Sequence, residues 1–97
     1  DAFRRLPVAA ARSTILIDGQ VSGAGEAWDW GSAARISRTE SVVLAGGLDP
    51  GNVERAIRIV RPYAVDVSSG VESSKGIKDR GRIEAFVAAV RRAEVER

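Results

Sequence analysis

Apolar positions along the 97-residue chain fall into short unbroken runs and longer runs with helical spacing. Ser13-Thr14-Ile15-Leu16-Ile17-Asp18, Val42-Val43-Leu44-Ala45 and Tyr63-Ala64-Val65-Asp66-Val67 belong to the first kind. Such β-branched runs resemble the buried strands of parallel sheets. Val53, Ala56, Ile57 and Val60 lie at i, i+3, i+4 and i+7 and predict one apolar helix face, with Arg55, Arg58 and Arg61 off it and Pro62 closing the helix. Ile83, Phe86, Val87 and Val90 predict the buried stripe of a last helix. Gly81, in its first turn, weakens that helix by up to about 1 kcal/mol relative to alanine. A short helix opens at Trp28-Asp29-Trp30 and runs through Arg35. Asp1 to Leu6 reads as the tail of a further helix ended by Pro7, and Val8 to Ala11 is ambiguous.

The residues between these runs punctuate them. Asp49 is a good helix N-cap, and Pro50 suits the first helical position, where its missing N–H costs nothing. Gly46 and Gly47 let backbone come close to whatever sits at the end of the strand before them. Residues 19–27 read as a flexible, glycine-bearing loop, and Ser73 to Lys78 as a polar loop leading to an N-cap at Asp79.

The order is therefore helix tail, β, α, β, α, β, α, with strand ends near residues 18, 45 and 67. That spacing suits successive βα units, which build a parallel α/β sheet with right-handed crossovers. An open doubly wound sheet and part of a (β/α)8 barrel both fit, and both bind ligands at the C-terminal strand ends. Asp18, Gly46-Gly47 and Ser68-Ser69-Gly70 all fall at that edge. Each alone has a plain structural reading: a turn cap, a tight turn and turn chemistry. Together they form one candidate site.

Composition narrows the chemistry. The length allows one domain at most, and 44% hydrophobic with 29% charged residues describes a globular chain. A net charge of +2, with the arginines on polar faces, does not argue for nucleic acid. No apolar run approaches the roughly 20 residues of a membrane span and no signal peptide is visible, so the expectation is a cytoplasmic protein away from membranes. There is no cysteine and no histidine, which excludes disulfides, thiolate nucleophiles, imidazole bases and the usual zinc sites within this sequence. Acid–base chemistry must come from Asp, Glu, Lys or Tyr. Gly23-Ala24-Gly25 begins like a dinucleotide fingerprint, but Trp28 stands in the third glycine's place, and no P-loop pattern is present.

Leu44-Ala45-Gly46-Gly47-Leu48-Asp49-Pro50-Gly51-Asn52-Val53 and Val65-Asp66-Val67-Ser68-Ser69-Gly70-Val71-Glu72 resemble the last two βα corners of phosphoribosylanthranilate isomerase of tryptophan biosynthesis. Ile15-Leu16-Ile17-Asp18 and Gly23-Ala24-Gly25-Glu26-Ala27-Trp28-Asp29-Trp30 are similar to that family's sixth strand and following loop, and Gly76-Ile77-Lys78-Asp79 also fits. The resemblance covers residues 1–93.

The resemblance implies a (β/α)8 barrel of which residues 1–97 supply the last three βα units. It implies an Amadori rearrangement of N-(5-phosphoribosyl)anthranilate to the 1-deoxyribulose product, with no cofactor and no metal. Asp18 would be the general acid that protonates the ribose ring oxygen, a task that partial burial at a strand end favours. Gly46, Gly47, Ser69 and Gly70 would cradle the substrate's phosphate, and Asp66, pointing into the barrel, could meet the substrate. The family's general base is a cysteine at the end of the first strand, which this sequence does not contain. The chain also begins with Asp1 rather than Met. The expectation is thus a C-terminal part, inactive by itself, whose partner is the N-terminal part of the barrel or a second copy. The alternative is a non-catalytic phosphate-binding half-barrel, or part of another sugar-phosphate barrel enzyme.

Overall fold

The computed structural model of the chain describes residues 14–19 and 29–95. The expected helix tail at Asp1–Leu6, the segment Val8–Ala11, Ser13, Trp28 and residues 20–27 of the glycine-bearing loop lie outside the described residues. Three parallel strands form one sheet in the order β1 (Thr14–Asp18), β2 (Ser41–Ala45), β3 (Ala64–Val65). The helices α1 (Trp30–Ser37), α2 (Val53–Val60) and α3 (Arg80–Val95) alternate with them along the chain. The α/β class and the parallel sheet expected from the spacing are both present.

The pairing register decides which side chains share a face. Ile15 pairs with Val42, and Ile17 with Leu44, which pairs in turn with Val65. Ile17, Val42, Leu44 and Val65 therefore lie on one side, and all three helices pack there: Trp30, Ala33, Val53, Ala56, Ile57, Val60, Phe86, Ala89 and Ala93 complete a single buried core. On the other side Leu16, Val43 and Ala64 align, and Leu16 is 66% exposed. β1 is thus half-buried at most along its length, not the fully buried strand its apolar run predicts. Continuous apolar character marks two faces that can be covered; among the described residues only one is.

The start of α1 follows the sequence. Asp29 is its N-cap, accepting from the Ser32 amide at 3.1 Å and the Ser32 hydroxyl at 2.7 Å. The hydroxyl first, and then the amide, hold the Asp29 carboxyl below its usual range. The helix runs to Ser37 rather than Arg35. There the Ser37 hydroxyl donates to the Val60 carbonyl, satisfying one of the acceptors left open at the end of α2. α2 ends as expected before Pro62, with Arg61 in the left-handed region at φ 52°.

The start of α2 departs from the expectation. Asn52, not Asp49, is its N-cap residue, and Asp49-Pro50-Gly51-Asn52 is a turn ahead of it. Asp49 accepts at its side chain from the Gly51 amide at 2.7 Å, and its carbonyl receives the amides of Asn52 and Val53. An aspartate that closes an Asx-turn two residues on satisfies its carboxylate locally and postpones the helix.

β3 is shorter than the five residues expected, although Tyr63 and Asp66 donate to the carbonyls of Val42 and Leu44 at 2.8 Å and extend its ladder at both ends. Beyond Ser68 the chain turns through a 3-10 segment, Ser69–Val71. The polar stretch read as a loop at 73–78 forms an antiparallel hairpin, β4 (Glu72–Ser74) with β5 (Ile77–Lys78), turning at Gly76 with φ 80°. A three-residue strand of polar side chains, paired with a two-residue one, has no apolar alternation to announce it.

Asp79 does cap α3, accepting from the Arg82 amide at 2.8 Å. Its buried stripe is Phe86, Ala89 and Ala93 with Val90 at the margin, while Ile83 and Val87, expected inside, are each 41% exposed. Alanines let the backbones of α3 and α2 approach closely, which turns the bulkier aliphatics away from the contact. Arg92 then reaches Glu54 of α2 at 3.1 Å. No described helix is long and apolar enough to cross a membrane.

Candidate functional site

At the C-terminal ends of β2 and β3 a cleft of about 200 Å³ opens between two backbone walls, Ala45 to Leu48 and Asp66 to Gly70. Five of the six residues singled out from the sequence line it: Gly46, Gly47, Asp66, Ser69 and Gly70. Pockets that hold a whole small molecule run to about 300–1,000 Å³. This one has room for one end of a ligand.

The first wall depends on its glycines. Gly46 and Gly47 both have positive φ, 92° and 67°, a conformation that a side chain makes costly. Beneath them the buried Asn52 donates from Nδ2 to the Gly47 carbonyl and accepts at Oδ1 from the Asp49 amide, both at 2.9 Å. One side-chain amide thus braces the corner on either side of Leu48.

The second wall meets the first at Gly70. A Cβ there would stand 1.8 Å from the Leu48 carbonyl oxygen, so only glycine lets the two backbones touch. The glycine expected to admit a ligand is also the residue that joins the walls. Lys78 Nζ donates to the Ser68 carbonyl at 3.0 Å and to Glu72 Oε2 at 2.9 Å, and the Gly76 amide donates to Glu72 Oε1 at 3.1 Å. The Lys78 hydrogen bond, followed by that from Gly76, holds the Glu72 carboxyl below its usual range.

Asp18 does not line the cleft. It closes β1 opposite Ala45, on the sheet face turned away from the helices, and it is exposed rather than partly buried. Ala45 itself belongs to the cleft wall. Asp66, next after Val65, follows the alternation onto the same face as Ala64 and Val43 and is exposed, as the pleat argument expects. Asp18 and Asp66 therefore flank Ala45 on one face. After Asp18, Gly19 donates to the Ala45 carbonyl at 2.9 Å and accepts from the Asp29 amide at 2.7 Å. Gly19 and Asp29 are thereby joined beside the strand end.

A glycine corner and a serine–glycine turn at adjacent parallel strand ends, with a carboxylate on the next strand, is an arrangement that admits comparison with solved barrels. The family model for N-(5'phosphoribosyl)anthranilate (PRA) isomerase matches residues 5–89. The chain belongs to this family. It is 50% identical over 90 residues to the N-(5'-phosphoribosyl)anthranilate isomerase of Magnetococcus marinus, covering 93% of this chain and 43% of that protein. The phosphoribosyl anthranilate isomerase of Thermococcus kodakaraensis matches with a TM-score of 0.70 and 52% identity, over 81% of this chain and 37% of that one. A further isomerase, solved in complex with reduced 1-(o-carboxyphenylamino)-1-deoxyribulose 5-phosphate, matches with a TM-score of 0.66 and 42% identity, over 80% of this chain and 37% of that one. The chain spans less than half the length of the relatives it matches.

In this family member, sequence reasoning passed over three residues that shape the cleft: Asn52, Glu72 and Lys78. Asn52 carried a signal, since a polar residue one place ahead of an apolar helix face is positioned to brace the preceding loop. Lys78 and Glu72 carried none, because their pairing depends on the unforeseen hairpin.

Proposed function

We propose that residues 1–97 are the last three βα units of a (β/α)8 phosphoribosylanthranilate isomerase and form one unit carrying its general acid and its phosphate corner. The observation that carries this reading is the cleft between Gly46-Gly47 and Ser69-Gly70, at the strand ends where barrel enzymes hold phosphate. Three helices on one face of a parallel sheet, with Leu16 exposed on the other, suit a barrel segment better than a doubly wound sheet, which is covered on both faces.

The substrate's phosphate sits in the cleft on the Gly46–Gly47 and Ser69–Gly70 backbones. Its reacting end lies over Ala45, between Asp18 and Asp66. Asp18 donates a proton to the ribose ring oxygen as the C1–O bond breaks and the anthranilate nitrogen forms a Schiff base. Loss of the C2 proton then gives an enolamine, which tautomerises to the aminoketone. No residue of this chain is assigned to that second transfer; it falls to a base on the remaining units. Asp66, itself anionic, faces the substrate's hydroxyls or amine rather than its phosphate. The reaction uses no cofactor and no metal, and it belongs in the cytoplasm.

The partner is polypeptide that supplies the other five βα units, lying over Leu16, Val43 and Ala64. Joining the chain to the N-terminal part of a relative such as that of Magnetococcus marinus tests the reading. The assembled barrel is expected to convert N-(5-phosphoribosyl)anthranilate to the 1-deoxyribulose product. An assembly that folds but neither turns over this substrate nor binds its product contradicts the proposal.

A further inference from the structure

The hairpin that follows the cleft makes contacts which the phosphate reading leaves unused. Glu72 accepts from both Lys78 Nζ and the Gly76 amide, and Arg82 donates to the Glu72 carbonyl at 2.9 Å from α3. The Asp79 amide donates to the Val71 carbonyl at 2.7 Å. Lys78 spans from this frame to the Ser68 carbonyl, which also receives the Val71 amide at 3.3 Å.

Ser68, Ser69 and Gly70 line the cleft and Lys78 does not, so the Ser68 carbonyl is held toward a group outside it. A trans peptide is planar, with its N–H directed opposite to its C=O. Pulling the Ser68 carbonyl outward therefore turns the Ser69 N–H of the same peptide unit inward.

We propose that Lys78 and Glu72 are positioning residues: the Glu72 carboxylate holds the Lys78 ammonium on the Ser68 carbonyl, and this bracket aims the Ser69–Gly70 wall at an anion. The inference rests on the phosphate reading of the cleft and adds the device that shapes one of its walls. It makes an unusual demand on electrostatics. If charge alone mattered, removing the anionic Glu72 would strengthen binding of an anion nearby. The bracket requires the opposite, since Lys78 loses the partner that directs it.

The test titrates inorganic phosphate into the assembled barrel and follows the amide resonances of Gly47, Ser69 and Gly70. Lys78→Met and Glu72→Ala are each expected to raise the Kd for phosphate about tenfold, the size of one lost charge-assisted hydrogen bond. The phosphate-induced shifts of Ser69 and Gly70 should shrink while that of Gly47 persists. Lys78→Arg, which keeps a cationic donor, should stay within about threefold of the parent. KM for the phosphorylated substrate should follow the phosphate Kd, with kcat little changed. Tighter phosphate binding in Glu72→Ala, or unchanged binding in Lys78→Met, overturns the bracket. So does loss of native amide dispersion in either variant, which would make the pair a requirement of the fold instead. A parent that binds no phosphate overturns the underlying phosphate reading, a result distinct from these.

Discussion

At Gly70 the obstacle to a side chain is protein, whereas at Gly47 it is conformation. A Cβ on Gly70 would collide with the Leu48 carbonyl, and backbone cannot swing aside as the end of a long side chain can. Gly47 instead has φ 67° on an exposed stretch of the cleft wall. Gly70→Ala is therefore expected to lower the thermal midpoint of the assembled barrel by more than Gly76→Ala, which adds strain at φ 80° but meets nothing within 4 Å. That strain alone is worth about 1–2 kcal/mol. Equal midpoints would mean that the two walls do not depend on this contact. Gly47→Ala should act on binding: KM for the phosphorylated substrate rises while kcat stays within about threefold, as for any contact made equally in ground and transition states. A fall in kcat with KM unchanged would move the phosphate elsewhere.

Among the elements, the β4–β5 hairpin depends on pH through Glu72. Glu72 is held below the ordinary glutamate value, first by Lys78 and then by Gly76. The ionised carboxylate favours the folded hairpin. Its contribution is complete above the ordinary value of about 4.3 and is lost as the pH falls through the lower folded value. The Gly76 amide, which donates to Glu72, is expected to report a midpoint below about 4.3 by NMR, and Lys78→Met should move that midpoint upward. A parent midpoint at or above the ordinary value contradicts the bracket's electrostatics. The hairpin also marks where the sequence stopped being legible. The three parallel strands, the Asp79 cap of α3 and five cleft residues could be read from period, caps and glycines. Asp49 misled because Asx-turn and N-cap chemistry use the same residue type. Ile83 and Val87 misled because the apolar residues of α3 span more than one face, and only the packing of Ala89 and Ala93 against the core selects between them.

At the scale of the whole molecule, the uncovered sheet face is the central energetic fact. Leu16, aligned with Val43 and Ala64, stands 66% exposed, and β1 and β3 are the outer strands of the described sheet. At roughly 25 cal/mol per Å², leaving about 200–300 Å² of apolar surface wet forfeits several kcal/mol, comparable to the whole stability of a small domain. Open strand edges add templates for further pairing. The isolated 97-residue chain is therefore expected to self-associate or unfold in part, and to become a well-behaved species when the other units are supplied. Sedimentation with thermal unfolding by circular dichroism checks this. A monomer melting cooperatively above about 50 °C would show that the chain closes its own core.

The proposal as a whole turns on Asp18, exposed at the end of β1 and one strand away from the cleft wall. Steady-state kinetics of the assembled barrel carrying Asp18→Asn, paired with its affinity for the product, is the most direct measurement. The amide keeps the shape of the carboxyl but cannot donate a catalytic proton. kcat is expected to fall by about 10²–10⁴-fold, the usual contribution of general acid–base catalysis, while product affinity stays within about tenfold. Turnover within about tenfold of the parent would contradict the assignment of Asp18 as the acid, and with it the reading of this chain as the catalytic end of the isomerase.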